Sequence, residues 1–376
     1  MHILFLQANN PWFFYFNWFA ERSKQTKDVK ISFAAIYYTR PRMLDDIEKF
    51  QCDCYWIPSS LKNKKLNYIW QIIKVYRLIK KIKPDVVHTH LFEDSFVGLI
   101  AARLAGIKIR VVTKQDTGFH WYYMPKMVRF DRVNNRNATH IVAVSEEGKD
   151  FILNYEKAAH RKVHMIHHGT PKQKCTNQIE EVKKDFIERF HLTGKRVVGV
   201  VSKYIEWKGH LYIVEAAEMI VKRYPDTVFL FTGWGKESGD IMDLINSKNL
   251  NNHIIISEFI PEEQMPSFYG VLDVFVHAAI YEPFGFVIAE AMMNGVPVVS
   301  TKTGAAADAI QHLETGYLVP YRDSKAIAEG VNYMFENETT ELRKKAKEKA
   351  IQMYDFDVMY GNYINLYKNA IKNVSQ

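Results

Sequence analysis

HAAIYEPFGFVIAEAMMNGVPVVS, residues 277–300, runs from the tail of one strand through a turn and a helix into the next strand. DVFVH (273–277) is an apolar run of strand length, Pro283 and Gly285 punctuate a turn, FVIAEAMMN (286–294) predicts a helix, Gly295 ends it, and VPVVS (296–300) predicts the following strand. The backbone N–H groups of residues 284–286 then lie at a helix N-terminus, where unpaired donors and the helix dipole favour an oxyanion or phosphate. Two carboxylates bracket that corner: Glu282 in the loop ahead of the helix and Glu290 about one turn beyond Phe286, a placement that lets both face one crevice. A phosphate repels carboxylates, so their natural partners are sugar hydroxyls rather than the anion. The plainer reading of Glu290, a solvated helix residue, is disfavoured by its neighbours Ala289, Ala291 and Met292.

Outward from this unit the alternation continues. HILFL (2–6), VKISFAAI (29–36), CDCYWIP (52–58), DVVH (85–88), IRVVT (109–113), HIVAV (140–144) and VHMI (163–166) form one series of candidate strands. RVVGVVS (196–202), VFLFT (228–232), HIIIS (253–257), DVFVH, VPVVS and GYLVP (316–320) form a second. Strands alternating with helical stretches predict parallel, doubly wound sheets, hence an α/β protein with two Rossmann-like halves. Polar PKQKCTNQIE (171–180) between the series reads as a linker, giving domains at 1–170 and 181–355. In such sheets ligands bind at the carboxyl ends of the strands.

Composition agrees. A chain of 376 residues with 47% apolar content is long enough for two cores. Cys52, Cys54 and Cys175 are too few for a disulfide framework or a zinc site, which points to a reduced, cytoplasmic setting. No signal peptide and no apolar stretch of about 20 residues is evident, so the expectation is a soluble or surface-bound protein. The net charge of +8 clusters in residues 61–83, which hold eight Lys or Arg and no acid. Tyr68, Ile69, Ile72, Ile73, Tyr76 and Ile79 recur there at helical spacing, predicting a basic amphipathic helix that is either an ordinary solvated face or an anionic-membrane contact. On one helical stripe stand Lys74, Arg77 and Lys81, with Ile69, Ile72, Tyr76 and Ile79 expected to pack on the sheet.

Glu282, seven residues, Glu290, embedded in EPFGFVIAEAMMNGVPVVS, resembles the donor-site signature of the retaining glycosyltransferases of family 4, and the similarity extends over most of the chain. The resemblance implies the GT-B fold, two Rossmann-like domains facing a central cleft with the C-terminal helix, 356–376, crossing back to the first domain. It implies that Glu282 contacts the donor sugar, that Glu290 takes the ribose hydroxyls, and that Phe284, Gly285 and Phe286 hold sugar and phosphate through their amides. Lys203 and Lys208, in the loop after RVVGVVS, resemble the basic pair that binds the donor diphosphate, although Ser202-Lys203 stands where Gly-Arg is usual and lysine lacks the bidentate fork. Gly233 matches a Gly-x-Gly turn near the nucleotide, Phe259 and Ile260 the segment that meets the base, and Asp308 the place of a usual glutamate. In the first half, Gln115 stands where many members place a sugar-contacting histidine, with Asp116 beside it, and Asn9, Asn10 and His90 fall on the acceptor side.

The implied reaction moves a sugar from a nucleotide-diphosphate sugar, UDP- in preference to GDP-, to an acceptor hydroxyl with retention, in envelope polysaccharide or lipid-linked glycan synthesis. No cofactor and no metal is expected. Adjacent His167 and His168 point apart on an extended strand, and Asp355-Phe356-Asp357 reads as a helix cap. Nucleic acid is not among the expected partners. A dehydrogenase is disfavoured because no strand leads into Gly-x-Gly-x-x-Gly. Another GT-B enzyme, an epimerase or a phosphorylase, and a non-catalytic protein binding polyanions or membranes are the remaining alternatives.

Overall fold

The computed structural model describes residues 1–8, 15–59, 64–115, 118–257 and 259–375. Two compact units emerge: Met1–Ile166 together with Met359–Gln376, and His167–Val358.

The first unit is built on β1 (His2–Ala8), β2 (Lys30–Tyr37), β3 (Cys54–Pro58), β4 (Val86–Thr89), β5 (Ile109–Lys114), β6 (His140–Ala143) and β7 (Val163–Met165). They pair in parallel in the order β3-β2-β1-β4-β5-β6-β7. Helices covering both faces of a parallel sheet demand near-continuous apolar strands, and Ile3, Leu4, Phe5 and Leu6 are completely buried. Strand order reverses between β1 and β4. An aspartate pins that reversal: Asp85 accepts the His2 N–H through its carboxylate at 2.7 Å, while its own N–H donates to the His2 carbonyl at 2.8 Å.

The second unit repeats the plan with β8 (Arg196–Val201), β9 (Thr227–Thr232), β10 (Ile254–Ser257), β11 (Val274–His277), β12 (Val298–Thr301) and β13 (Tyr317–Val319), in the order β10-β9-β8-β11-β12-β13. Here the reversal lies between β8 and β11, pinned by Asp273, which accepts from the Val197 N–H at 2.7 Å and donates back at 2.9 Å. Every expected strand is present, and the expected pair of doubly wound parallel sheets is borne out.

Two details depart from the sequence reading. The stretch 171–180 lies inside the second unit: Lys172–Thr176 is helical, Cys175 is buried, and the Asn294 side chain donates to the Cys175 carbonyl at 2.9 Å. On the basic helix, Lys64–Ile82, Ile79 is buried and Ile72 and Tyr76 pack against the same core as expected, but Ile69 does not. Asn67 and Gln71 are buried because both amides donate to Ser59 Oγ at 2.9 Å, and Val75 and Ile79 complete that stripe at i, i+4 spacing. Ile69 is consequently 56% exposed, alongside Leu66, Trp70 and Ile73. The C-terminal helix Phe356–Ser375, expected to return to the first domain, contributes Met359 onward to the first unit, where the buried Tyr363 hydroxyl meets Thr113 Oγ1 at 2.8 Å and the buried Tyr367 hydroxyl meets His88 Nδ1 at 2.6 Å. None of the described helices is long and apolar enough to cross a membrane, and the three cysteines are unbridged.

Candidate active site

In the second unit, the loops leaving β8 and β11 flank the reversal of strand order, where a crevice for ligand is expected. Two tight approaches join them, and a third joins the β11 loop to the segment after β12. Lys208 ends a 3-10 turn, Glu206–Lys208, that Gly209 closes with φ 71; a Cβ at Gly209 would lie 2.2 Å from the Ala278 carbonyl oxygen. The Ile280 N–H donates to the Trp207 carbonyl at 2.8 Å. At the far side, a Cβ on Gly304, φ 47, would lie 2.3 Å from the Phe284 carbonyl oxygen, and the Ala305 N–H donates to that oxygen at 2.6 Å.

This scaffold brings Lys208 onto Glu282. Their ammonium and carboxylate form a direct ion pair with side chains only 14% and 12% exposed, and His277 Nε2 lies 3.2 Å from the same carboxylate oxygen. Burial alone would push the Glu282 carboxyl up, but His277 and the Lys208 ammonium outweigh it and hold the group at about 2, fully ionised at neutral pH. The buried His277 imidazole is held below its ordinary range by desolvation, against the pull of Glu282. Gly285 takes φ 84 at the N-cap of the helix Phe286–Met293, so the first-turn donors point out of that end. Phe284 and Phe286 are set by His168, whose ring lies 5.3 and 5.2 Å from theirs.

Lys203 stands beside Trp234, its ammonium 4.8 Å from the ring centroid. Gly233 admits this approach, because a Cβ there would lie 1.9 Å from the Ser202 carbonyl oxygen. Glu290 lines a cavity of about 320 Å³ together with Thr170, Lys174, Glu262, Pro266 and Tyr269. The buried Tyr269 hydroxyl donates to Glu290 at 2.9 Å. Burial raises the Glu290 carboxyl to about 7, with Glu262 adding to the rise and the Tyr269 hydrogen bond opposing it. Of the pair expected near a base, Phe259 is 72% exposed and Ile260 only 6%. Asp308 accepts from His167 at 3.0 Å.

In the first unit, Gln115 lines a cavity of about 300 Å³ with Lys114, His120, Asp131 and Asn134. Buried Lys114 lies 3.3 Å from Asp131 and 3.2 Å from Glu156, and His120 Nδ1 lies 2.9 Å from Asp131. His90, expected on the acceptor side, is instead fully enclosed, its ring 4.0 Å from His88 and 4.9 Å from Phe5 and Phe16. Asn9, Asn10 and Asp116 lie outside the described residues, as does Lys62. His277, Tyr269 and Glu262 have no side-chain role in the expectations above; Tyr269 and Glu262 lie in SEFIPEEQMPSFY (257–269), which resembles the segment that meets the base, and His277 is a polar residue closing an apolar strand.

Two doubly wound units, the second with paired cation and carboxylate loops at its switch point, define the GT-B class of glycosyltransferases. Residues 182–353 match the family described as glycosyl transferases group 1, and residues 36–174 match glycosyltransferase family 4. The chain belongs to the family 4 glycosyltransferases. It is 24% identical over 317 residues to the capsular polysaccharide biosynthesis glycosyltransferase CapM of Staphylococcus aureus, covering 80% of this chain and 81% of that one. It is also 24% identical over 332 residues to the Escherichia coli UDP-Gal:alpha-D-GlcNAc-diphosphoundecaprenol alpha-1,3-galactosyltransferase, covering 85% and 84%. In fold it resembles Anabaena HepE, solved in complex with UDP, with a TM-score of 0.84 over 98% of this chain and 100% of that one, at 19% identity.

Proposed function

We propose that this glycosyltransferase takes its sugar from a nucleoside-diphosphate donor, UDP-linked in preference to GDP-linked, and passes it with retention to a hydroxyl of a lipid-linked or envelope-glycan acceptor. The observation that carries the reading is the Lys208–Glu282–His277 group at the switch point, beside a helix N-terminus. Lys203, Lys208 and the amides of residues 284–286 stabilise the negative charge that grows on the departing diphosphate. Glu282, kept ionised, orients Lys208 and accepts a hydrogen bond from a donor-sugar hydroxyl. Glu290 receives the ribose hydroxyls, with Gly233 and the 259–260 backbone beside the nucleoside. The donor C1–oxygen bond breaks, the acceptor oxygen takes its place on the same face, and the acceptor proton passes to the diphosphate oxygen. The UDP held by HepE and the diphosphoundecaprenol-linked acceptor named for the E. coli relative support the substrate classes. No group of three or more His, Cys, Asp or Glu able to hold a metal is found among the described residues, and the charge of the diphosphate is assigned here to the lysines and amides.

A lipid-linked acceptor also gives the basic helix a role. Residues 61–83 are assigned to loose contact with an anionic membrane surface, each basic residue contributing about 1 kcal/mol. A thermal-shift series with UDP- and GDP-sugars tests the donor reading: a UDP-sugar should raise the unfolding temperature. No shift with any nucleoside diphosphate or its sugar would overturn it.

A further inference from the structure

The first unit holds a group of cations that the proposed mechanism leaves unused. Lys126, Arg129 and Arg132 follow one another at spacing three, from the turn Pro125–Met127 into the helix Val128–Asn137, and so share a face. With Trp121, Pro125 and Val128 they line a pocket of about 450 Å³ that has no acidic residue in its wall. All three are exposed, and among the described residues none has a carboxylate within ion-pair distance. The contrast with Lys114 is direct, since that buried lysine has both Asp131 and Glu156. The pocket floor is fixed: Trp121 packs edge-on against Phe151 at 6.0 Å and against Tyr155 at 6.2 Å. Gly118, at φ 81, permits this, because a Cβ there would lie 2.4 Å from the Phe151 ring. Arg132 reaches over Trp121 with its guanidinium carbon 5.8 Å from the ring centroid. Between the lining residues Trp121 and Pro125 the chain exposes Tyr122, Tyr123 and Met124, Tyr122 by 66%.

Three convergent cations repel one another unless an anion joins them. Guanidinium forks match phosphate oxygens in pairs, and exposed tyrosines next to them offer an amphipathic surface to a carbon chain. We propose that this pocket binds a phosphate or diphosphate group of the acceptor, with Arg129 and Arg132 as its main ligands, Lys126 as the third cation, and Tyr122, Tyr123 and Met124 against the carbon chain that follows. The assignment deepens the proposed function and rests on its phosphate-bearing, lipid-linked acceptor.

The probe is inorganic pyrophosphate, titrated calorimetrically into the full chain already saturated with UDP, so that the proposed donor site is occupied. Wild type should bind it in a salt-dependent manner. Arg129→Ala and Arg132→Ala should each weaken it about tenfold, the effect of losing one charge-assisted hydrogen bond, with UDP affinity and unfolding temperature unchanged. Undiminished pyrophosphate binding in the double variant, or none in the UDP-saturated wild type, overturns the assignment. If UDP itself fails to bind, the donor reading falls separately, and the same variants titrated without UDP still read the pocket. Vesicles with and without phosphatidylglycerol separate the two sources of phosphate. The double variant should sediment with anionic vesicles as wild type does. Loss of that binding together with a flat pyrophosphate titration makes the cluster a membrane-surface contact and overturns the proposal.

Discussion

Lys208 and Glu282, 74 residues apart in the chain, form a direct ion pair where the strand order of the second sheet reverses. Both are largely buried, so removing one partner leaves the other uncompensated. Lys208→Ala should therefore destabilise the protein by about 3 kcal/mol in urea unfolding, while Lys203→Ala, which leaves only the exposed Trp234, should stay within about 0.5 kcal/mol of wild type. Each should weaken UDP by about 1.5–3 kcal/mol in calorimetry. Unchanged UDP affinity in both would remove the lysines from the diphosphate site.

The same pair sets an acid dependence. Glu282 is held at about 2, below the ordinary carboxyl value of 4.5. A depressed folded-state value means stability that is present above about pH 4.5 and lost as pH falls toward 2. Unfolding free energies measured across that window should converge for wild type and Lys208→Ala, the difference shrinking as Glu282 is protonated. A difference constant down to pH 2 contradicts the pairing.

Glu290 has the opposite sign. Its carboxyl is raised to about 7, so the folded state holds the proton more tightly than the unfolded chain, and wild type loses stability as pH rises from about 4.5 through 7. Glu290→Gln should be more stable relative to wild type at pH 8 than at pH 4, and should bind UDP more weakly. Glu282→Gln should leave UDP affinity nearly intact while lowering turnover. Equal losses of UDP binding in the two variants would contradict the division of roles.

Gly304→Ala tests how closely the 282–284 loop is held. The added Cβ would meet the carbonyl oxygens of Phe284 at 2.3 Å and Glu282 at 2.7 Å, at a φ of 47 that disfavours alanine. Displacing the loop should lower turnover about tenfold or more, since misplaced reacting groups lose rate steeply. Wild-type kinetics in a folded Gly304→Ala variant would argue against a fixed loop.

On the helix Lys64–Ile82, the exposed stripe is apolar in its first half, with Leu66, Ile69, Trp70 and Ile73, and basic in its second, with Arg77, Lys80 and Lys81. Binding to anionic vesicles should therefore survive high salt in part. Ile69→Ser/Trp70→Ser should remove the salt-resistant fraction, and Lys74/Arg77/Lys81→Glu the salt-sensitive one. Equal retention of wild type on neutral and anionic vesicles removes the basic half from the contact, and no retention on either leaves the stripe without a membrane role.

What was legible followed from burial on both faces of a sheet. Runs such as RVVGVV (196–201) and HILFL (2–6) have no other stable fate, so both sheets were readable, as were the loops carrying Lys203, Lys208 and Glu282. What failed depended on single tertiary contacts. Ser59 draws Asn67 and Gln71 inward, and at that end of the basic helix Ile69 is left exposed while Ile72, Tyr76 and Ile79 keep to the core. His90 was lost to an aromatic core that cannot be seen until Phe5 and Phe16 meet around it. The Tyr269 hydroxyl that donates to Glu290 comes from an element whose approach no local pattern announces.

The interruption of the first unit by the second governs the order of events during synthesis. Tyr363 and Tyr367 supply buried hydroxyls to Thr113 and His88, so the first sheet has an unfilled face until residues 359–376 have emerged from the ribosome. By then all of His167–Val358 has been made and has had time to fold. The amino-terminal unit is thus the last to be completed, the reverse of ordinary vectorial folding. A chain cut short before residue 359 leaves two half-satisfied polar groups and an apolar face open to proteases, so that acquiring the first unit doubles as a check that translation has run through the second.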